Sequence, residues 1–175
     1  MTINRTRALY CDLLNLPKGK YVAPHVAQGG KIGFARAALG VSYDRELLMM
    51  PGCGTFEGVP DMDLSLDDDR RSGWQVGVEI ALGDLTTHGE PFALDGRGQL
   101  RRTVNEWKAR GLTPKIGIEL EAYVFEQAED GSYRPYNTPG AFVYGTGPQN
   151  DPAGLMDAVW TRAAKAGIPI ESMNG

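Results

Sequence analysis

Cysteine and histidine are scarce in this sequence, which contains only two of each among its 175 residues. Cys11 and Cys53 lie far apart, and neither belongs to a CxxC pair or has a nearby histidine that could complete a metal site. Redox motifs and zinc sites need such clusters. The sequence therefore argues against both, and we expect two free thiols.

Long apolar segments and an excess of positive charge are also lacking. No run approaches the roughly 20 apolar residues of a membrane-spanning helix, and the opening MTINRTRALY has no signal-peptide core. With 18 basic and 22 acidic residues, the net charge is −4, which offers no basic surface to a nucleic acid. We therefore expect a cytoplasmic protein with neither a membrane nor a nucleic-acid partner.

The most informative stretch that is present is KIGIELEAYVF, from Lys115 to Phe125. Because successive side chains of a strand point to opposite faces, alternate positions here would form one wholly apolar face. Glu119 and Glu121 would share the other face, roughly 6.6 Å apart along the backbone. Carboxylates in this arrangement suit one Mg²⁺ or Mn²⁺ ion or a close pair of ions. The simpler alternative is a polar face exposed to solvent.

Two segments combine helical periodicity with termination signals. The first runs from about Gln99 to Arg110, and Gly111 follows it in the position of a C-terminal glycine. The second begins after a cap at Asn150 or Asp151 and ends at Gly167. Both patterns have one apolar side, which suits helices that cover a sheet.

The first half of the chain is predicted to be mainly extended. A hairpin is expected across RALYCDLLNLPKGKYVAP, with its turn at Pro17–Lys20. A short helix is expected at Phe34–Leu39, an irregular loop over Met49–Gly73, and a strand over Trp74–Asp84. The sequence LDGRG then indicates a domain boundary near residues 94–98.

Two further signals lie in the second half. Asp130–Gly131 is typical of a hairpin turn. The final run, IPIESMNG, has the composition of the beginning of another strand, which suggests a truncated chain.

Several of these segments resemble, in order, the amino-terminal part of the glutamine synthetase superfamily. YCDLLNLPKGKYV resembles the first hairpin of the family's small β-grasp domain, and GVPDMDLSLD resembles its Pro-Asp loop. GIELEAYVF is similar to the family's Gly-x-Glu-x-Glu-aromatic strand, and GIPIESMNG to the strand before its next metal ligands. The resemblance implies an α+β fold: a β-grasp domain over residues 1–95, then the truncated start of a mixed α/β catalytic domain over residues 96–175.

The resemblance also implies a chemistry. Members of the family are ligases that use ATP to phosphorylate the side chain of glutamate, and then form a γ-glutamyl amide with ammonia or an amine. By resemblance, Glu119 and Glu121 each coordinate one of two Mg²⁺ or Mn²⁺ ions, and Glu171 lies near the nucleotide. The family's remaining metal ligands, its substrate-binding arginines and its flexible glutamate flap would lie beyond Gly175, so we expect no activity from this chain alone. Family members assemble into homo-oligomeric rings.

One departure from the family pattern favours the superfamily's glutamate–amine ligases and type III-like branches. Between Gly33 and Pro60 there is no counterpart of the Asp-Gly-Ser-Ser loop that holds ammonium in bacterial glutamine synthetases. Two alternatives to the ligase hypothesis remain at this point. The chain could be a free-standing β-grasp binding or adaptor module without catalysis, or it could use its glutamate pair in some other metal-dependent phosphoryl chemistry.

Overall fold

The computed structural model describes residues 2–175. Two compact units follow each other along the chain, and the division between them falls between Pro114 and Lys115. We call the residues up to Pro114 the first unit and the remainder the second unit. The domain division predicted after residue 95 stays a prediction.

The first unit is built on a mixed sheet. Its strands are listed here in chain order: β1 Arg5–Cys11, β2 Pro17–Val22, β3 Lys31–Ala35, β4 Asp61–Ser72, β5 Val78–Thr87 and β6 Glu90–Pro91. The order across the sheet is β2-β1-β5-β4-β3, and β6 pairs with β5. Strands β1 and β5 run parallel, whereas the other pairs are antiparallel.

Two α-helices belong to this unit, α1 at Pro24–Gln28 and α2 at Gly96–Ala109. Helix α1 contacts β1 and β3, and α2 contacts β1 and β5. Alternate side chains of the strands point to one face and form the core together with Leu39, which lies in the 3₁₀ segment Arg36–Gly40. The strand residues of this core are Ala8, Tyr10, Ile32, Phe34, Met62, Leu64 and Leu85. This arrangement of a mixed sheet with helices is the predicted α+β class.

The first hairpin forms as predicted, but its turn lies five residues earlier than Pro17 suggested. Strand β2 already begins at Pro17, and the chain reverses over residues 12–16. The cause is Asp12, a buried residue whose Oδ1 accepts hydrogen bonds from the amides of Leu14 and Leu16, both at 2.9 Å. A carboxylate that caps its own turn outweighs the Pro-Gly signal.

The prediction of an irregular loop over Met49–Gly73 is wrong for its second half. Residues 61–72 form β4, a strand of 12 residues, because Met62 and Leu64 alternate with polar residues and are buried. The run of aspartates that indicated a loop is accommodated by a bulge between Leu66 and Arg70. The next strand starts at Val78 rather than Trp74.

The short helix predicted at Phe34–Leu39 is only partly present. Phe34 lies in β3, and a single 3₁₀ segment follows at Arg36–Gly40. Phe34 contacts Tyr10 edge-on, with the ring centroids 5.0 Å apart, so packing across the sheet decides its conformation.

Helix α2 confirms the first helix prediction. Asp95 precedes the helix, and its carboxylate accepts a hydrogen bond from the amide of Gly98 at 3.0 Å, which is an N-terminal cap. Gly111 follows the helix with φ 75°, a left-handed conformation that glycine adopts without strain.

The second unit contains strands β7 at Phe125–Gln127 and β8 at Tyr133–Pro135, and helix α3 at Leu155–Lys165. The strands form the predicted hairpin, with Gly131 at φ 83° in the turn. Helix α3 confirms the second helix prediction. Among residues 2–175, no helix is long and apolar enough to cross a membrane.

Two predicted strands of the second unit are absent from the structure. Residues 115–124 have no regular secondary structure, and pairing begins only at Phe125. Residues 168–175 also form no strand. Alternation gives a segment the right faces for a strand, but the backbone also needs a neighbour for its N–H and C=O groups. Within the described residues, segment 115–124 is bonded through its backbone at Val124, whose carbonyl accepts from the Tyr136 amide at 2.9 Å, and segment 168–175 at its two ends, from the Ile168 amide to the Ala163 carbonyl and from the Gly175 amide to the Gly145 carbonyl. These isolated bonds do not form the ladder that a strand needs.

Candidate functional site

The predicted metal ligands Glu119 and Glu121 lie in the extended segment 115–124, and both are exposed. Nothing lies within 4 Å of the position that a Cβ on Gly117 would take, so the segment borders open space at this point. Carboxylates are suitable ligands for Mg²⁺ or Mn²⁺. However, residues 2–175 contain no group of three or more histidine, cysteine, aspartate or glutamate side chains that could hold a metal. The chain thus supplies two fitting donors without a complete coordination sphere.

Glu171, the predicted nucleotide-site residue, is also exposed and lies after α3 in the segment that forms no strand. Next to it is a cavity of about 420 Å³ lined by Trp160, Ala164, Gly167, Ile168, Pro169 and Ile170. The structure therefore places Glu171 beside an apolar cleft. It brings no further acidic side chain together with it in a metal-binding group among the residues described.

A second cavity, also of about 420 Å³, opens at the N-terminus of α3. Its walls include Asp151, Met156, Asp157, Trp160 and Met173, together with the loop that precedes the helix. The sequence had predicted Asp151 only as a helix cap, and the cavity itself was not predicted.

Asp151 organises this end of the second unit. Its Oδ1 accepts hydrogen bonds from Tyr136 Oη and from the Leu155 amide, both at 2.7 Å, and its Oδ2 accepts one from the Met156 amide at 2.9 Å. Tyr136 Oη in turn accepts a hydrogen bond from the Ala153 amide at 2.9 Å. The loop, the tyrosine and the first turn of the helix are thus joined through one carboxylate.

The network determines the charge of its members. Burial raises the pKa of Asp151, but the hydrogen bonds from Tyr136 and from the helix amides outweigh burial and hold this pKa below its usual value. Burial and the bond to Asp151 both raise the pKa of Tyr136. At neutral pH the aspartate is ionised and the tyrosine is protonated. Since the carboxylate already accepts several hydrogen bonds, it acts as a structural anion rather than a proton acceptor.

In the first unit, a cluster of two arginines and two aspartates joins α2 to the sheet. Arg97 donates to Asp67 of β4 and Asp84 of β5, and Arg101 contacts the same two carboxylates at 3.1 and 2.9 Å. Burial raises the pKa of Asp67, but the two guanidinium groups outweigh burial and lower it. The charges of the cluster balance, so it is suited to fix the helix rather than to bind an ion.

Sequence analysis missed this cluster, although part of the signal was available. Arg97 and Arg101 are four residues apart and lie on the same side of α2, but the predicted helix began only at about Gln99, after Arg97. Their partners were not recognisable because residue 67 was assigned to a loop.

The loop between β3 and β4 is held in shape by two charged side chains. Glu57 accepts hydrogen bonds from the amides of Gly52 and Gly54, each at 3.1 Å. Arg36 donates from its backbone amide to the Pro60 carbonyl at 2.9 Å, and its Nε donates to the Asp61 carbonyl at 2.8 Å. This is the region in which the sequence shows no Asp-Gly-Ser-Ser element.

Comparisons with known proteins give a consistent result. No protein-family model matches the chain. The chain is 33% identical over 116 residues to the gamma-glutamylethanolamide synthetase GlnA4 of Streptomyces coelicolor, a match that covers 61% of this chain and 24% of the relative. It is also 33% identical over 91 residues to the glutamine synthetase of Thermococcus kodakarensis, covering 50% of this chain and 19% of the relative. The chain thus spans about a quarter or less of the length of these relatives.

Solved structures agree on the fold. A structure described as a novel glutamine synthase homolog matches with a TM-score of 0.67 at 16% identity, over 95% of this chain and 39% of that one. Apo GmaS without ligand matches with a TM-score of 0.56 at 18% identity, over 93% of this chain and 34% of that one. At these identities the likeness concerns the fold, and it confirms the predicted fold class.

Proposed function

We propose that this chain is part of a member of the glutamine synthetase superfamily, and that it serves the ATP-dependent synthesis of a γ-glutamyl amide. In this reaction, the γ-carboxylate of glutamate attacks the terminal phosphate of ATP, which gives γ-glutamyl phosphate and ADP. Ammonia or an amine then attacks the acyl carbon, and inorganic phosphate leaves. The observation that carries the proposal is the match to the Streptomyces gamma-glutamylethanolamide synthetase over 116 residues.

Three residues of the chain have roles in this proposal. Glu119 and Glu121 would hold Mg²⁺ or Mn²⁺, and Glu171 would lie near the nucleotide. A divalent ion, when bound, neutralises the charge of the phosphates during phosphoryl transfer. The alternation of the sequence and the chemistry of carboxylate oxygens support the first assignment. The remaining ligands are not among the described residues, so the 175-residue chain alone is expected to be inactive.

The acceptor in the proposed reaction is ammonia or an amine. The relative from Streptomyces is named for an amine product, and the relative from Thermococcus is named glutamine synthetase. The missing Asp-Gly-Ser-Ser element between Gly33 and Pro60 favours an amine. In the proposed enzyme, subunits assemble as a homo-oligomeric ring in the cytoplasm. The alternative of a binding module without catalysis has the independent core of the first unit in its favour.

A chimera tests the reaction. This chain would replace the matching part of the Streptomyces relative, and ADP release would be measured with glutamate plus ammonia or ethanolamine. We expect activity that depends on glutamate and falls at least about 100-fold on Glu119→Gln or Glu121→Gln, as for the loss of a group that acts in the transition state. A folded chimera whose activity is unchanged by both substitutions would refute the assignment.

Mn²⁺ binding tests the ligand assignment without requiring activity. The 175-residue chain should bind Mn²⁺ weakly, as measured by electron paramagnetic resonance, and Glu119→Gln/Glu121→Gln should abolish the binding. Glu129→Gln is the matched control, because Glu129 is also an exposed acid of the second unit. If the control lowers binding as much as the double variant does, the glutamate pair is not the site.

A further inference from the structure

The loop between β3 and β4 ends at a strained backbone position. Val59 has φ 51°, which lies in the left-handed region. This region is especially unfavourable for valine, because its branched Cβ crowds the backbone. The next residue is Pro60, and a residue before proline is driven to extended conformations with negative φ. Two independent steric constraints therefore oppose the conformation that Val59 adopts.

Hydrogen bonds on both sides hold Val59 in this conformation. On the loop side, its amide donates to the Gly54 carbonyl at 3.3 Å. On the strand side, Arg36 donates from its backbone amide to the Pro60 carbonyl at 2.9 Å and from its Nε to the Asp61 carbonyl at 2.8 Å. Because the chain is fixed immediately before and after this point, the strain is concentrated at a single residue.

The segment of residues 49–58, which precedes Val59, is folded on itself. Glu57 accepts hydrogen bonds from the amides of two loop glycines, each at 3.1 Å. Cys53 lies between these glycines and is 1% exposed. Burial raises the pKa of the Cys53 thiol, Arg36 opposes this effect and Glu57 adds to it. The thiol is therefore covered between a charge of the 3₁₀ segment and a charge of the loop.

A strained residue beside a self-contained segment is the arrangement of a hinge. We propose that segment 49–58 is a lid that opens about Val59, and that opening relaxes Val59 to a negative φ and exposes Cys53. A strained conformation persists only where surrounding contacts hold it, so the release of strain partly offsets the loss of those contacts. Opening then requires less free energy than unfolding of the first unit. The inference goes beyond the proposed function and does not rest on it.

Thiol labelling of the complete 175-residue chain tests the hinge. A Cys11→Ser background leaves Cys53 as the remaining cysteine of the sequence, and a maleimide reacts with this thiol only while the lid is open. We expect Cys53 to react faster than global unfolding allows, when unfolding is followed by tryptophan fluorescence under the same conditions. The labelling rate should hardly change at low urea, because a local opening exposes little surface.

Two substitutions relieve the strain of the closed lid by different routes. Val59→Gly places a residue that adopts positive φ without cost, and Pro60→Ala removes the restriction on the preceding residue. Each should lower the labelling rate of Cys53 at least about fivefold, because the closed state is then favoured. An ordinary loss of packing at either position would raise the rate instead, so the direction of the change distinguishes strain from packing.

Val59→Ile is the matched control, because it keeps both the β-branched side chain and the following proline. It should leave the labelling rate within about twofold of the original. Labelling of Cys53 no faster than global unfolding allows would overturn the proposal. So would an unchanged or raised rate in Val59→Gly or Pro60→Ala, or an equal decrease in the isoleucine control. Circular dichroism checks that each variant is folded.

Discussion

Replacement of Asp95 by alanine is expected to destabilise the first unit by about 2–4 kcal/mol. Asp95 is 2% exposed, and its Oδ2 accepts hydrogen bonds from the amides of Leu85 in β5 and Gly98 in α2, both at 3.0 Å. One carboxylate thus caps the helix and also joins it to the sheet. Alanine leaves both amides buried without an acceptor, and each such group costs about 1–3 kcal/mol.

Asparagine at the same position separates the hydrogen bonds from the charge. Its side-chain oxygen can accept both bonds, so Asp95→Asn should cost much less than Asp95→Ala. Burial raises the pKa of Asp95, and nearby Asp84 adds to this effect, while hydrogen bonds from the backbone amides of Leu85, Gly98 and Arg97 oppose it. Because the pKa of Asp95 is raised in the folded state, the free energy of unfolding of the wild-type protein decreases as the pH rises through that pKa. Asparagine avoids the loss, so its disadvantage should shrink or vanish between acidic and neutral pH.

Urea unfolding followed by tryptophan fluorescence measures both variants. A Trp160→Phe background limits the signal to Trp74 and Trp107, which belong to the first unit. The reasoning is refuted if alanine and asparagine cost the same at pH 7, or if alanine costs less than about 0.5 kcal/mol. A small cost for alanine would mean that water replaces the carboxylate as acceptor, and equal costs would mean that the amide oxygen of asparagine does not replace it.

Three further predictions follow from single contacts. Gly83→Ala should destabilise the first unit by about 2 kcal/mol or more in urea unfolding, because a Cβ there would clash with the backbone carbonyl oxygen of Ser65. In the control Gly33→Ala, the added Cβ meets nothing within 4 Å, so this variant should be nearly neutral. The arginines lower the pKa of Asp67, so the stabilisation that Asp67 gives to the fold is present above the usual aspartate pKa and is lost as the pH falls through the lowered pKa. Asp67→Asn should therefore reduce the dependence of the free energy of unfolding on pH in the acidic range. Tyr136→Phe should raise the pKa of Asp151 in an NMR titration, and an unchanged pKa would contradict the assigned hydrogen bond.

The elements that sequence reasoning located correctly are those specified by neighbouring residues. Helix α2 has its apolar stripe, its cap at Asp95 and its glycine at Gly111 within one short stretch, and each signal acts locally. The hairpin turn at Asp130–Gly131 is a two-residue signal of the same kind. Short-range physics is sufficient for both.

The elements that it missed depend on residues far apart in the chain. The aspartates of β4 led to the wrong prediction of a loop there. The strand accommodates Asp67 because this residue pairs with Arg97, thirty positions later in the sequence. The β1–β2 turn was displaced because Asp12 is buried by the fold and satisfies the turn amides itself. Composition alone does not reveal which charged residues will find partners.

Segment 115–124 was predicted to be a strand and is not one, and this explains why the candidate site is only partly formed. Its alternation is that of a central strand, yet a strand is a property of a pair, and the described residues provide no partner for it. The positions of Glu119 and Glu121 are consequently fixed by no neighbouring strand, and carboxylates that are not held in place bind a metal ion weakly. Whatever strand comes to lie beside this segment therefore also determines whether the two glutamates can act as ligands.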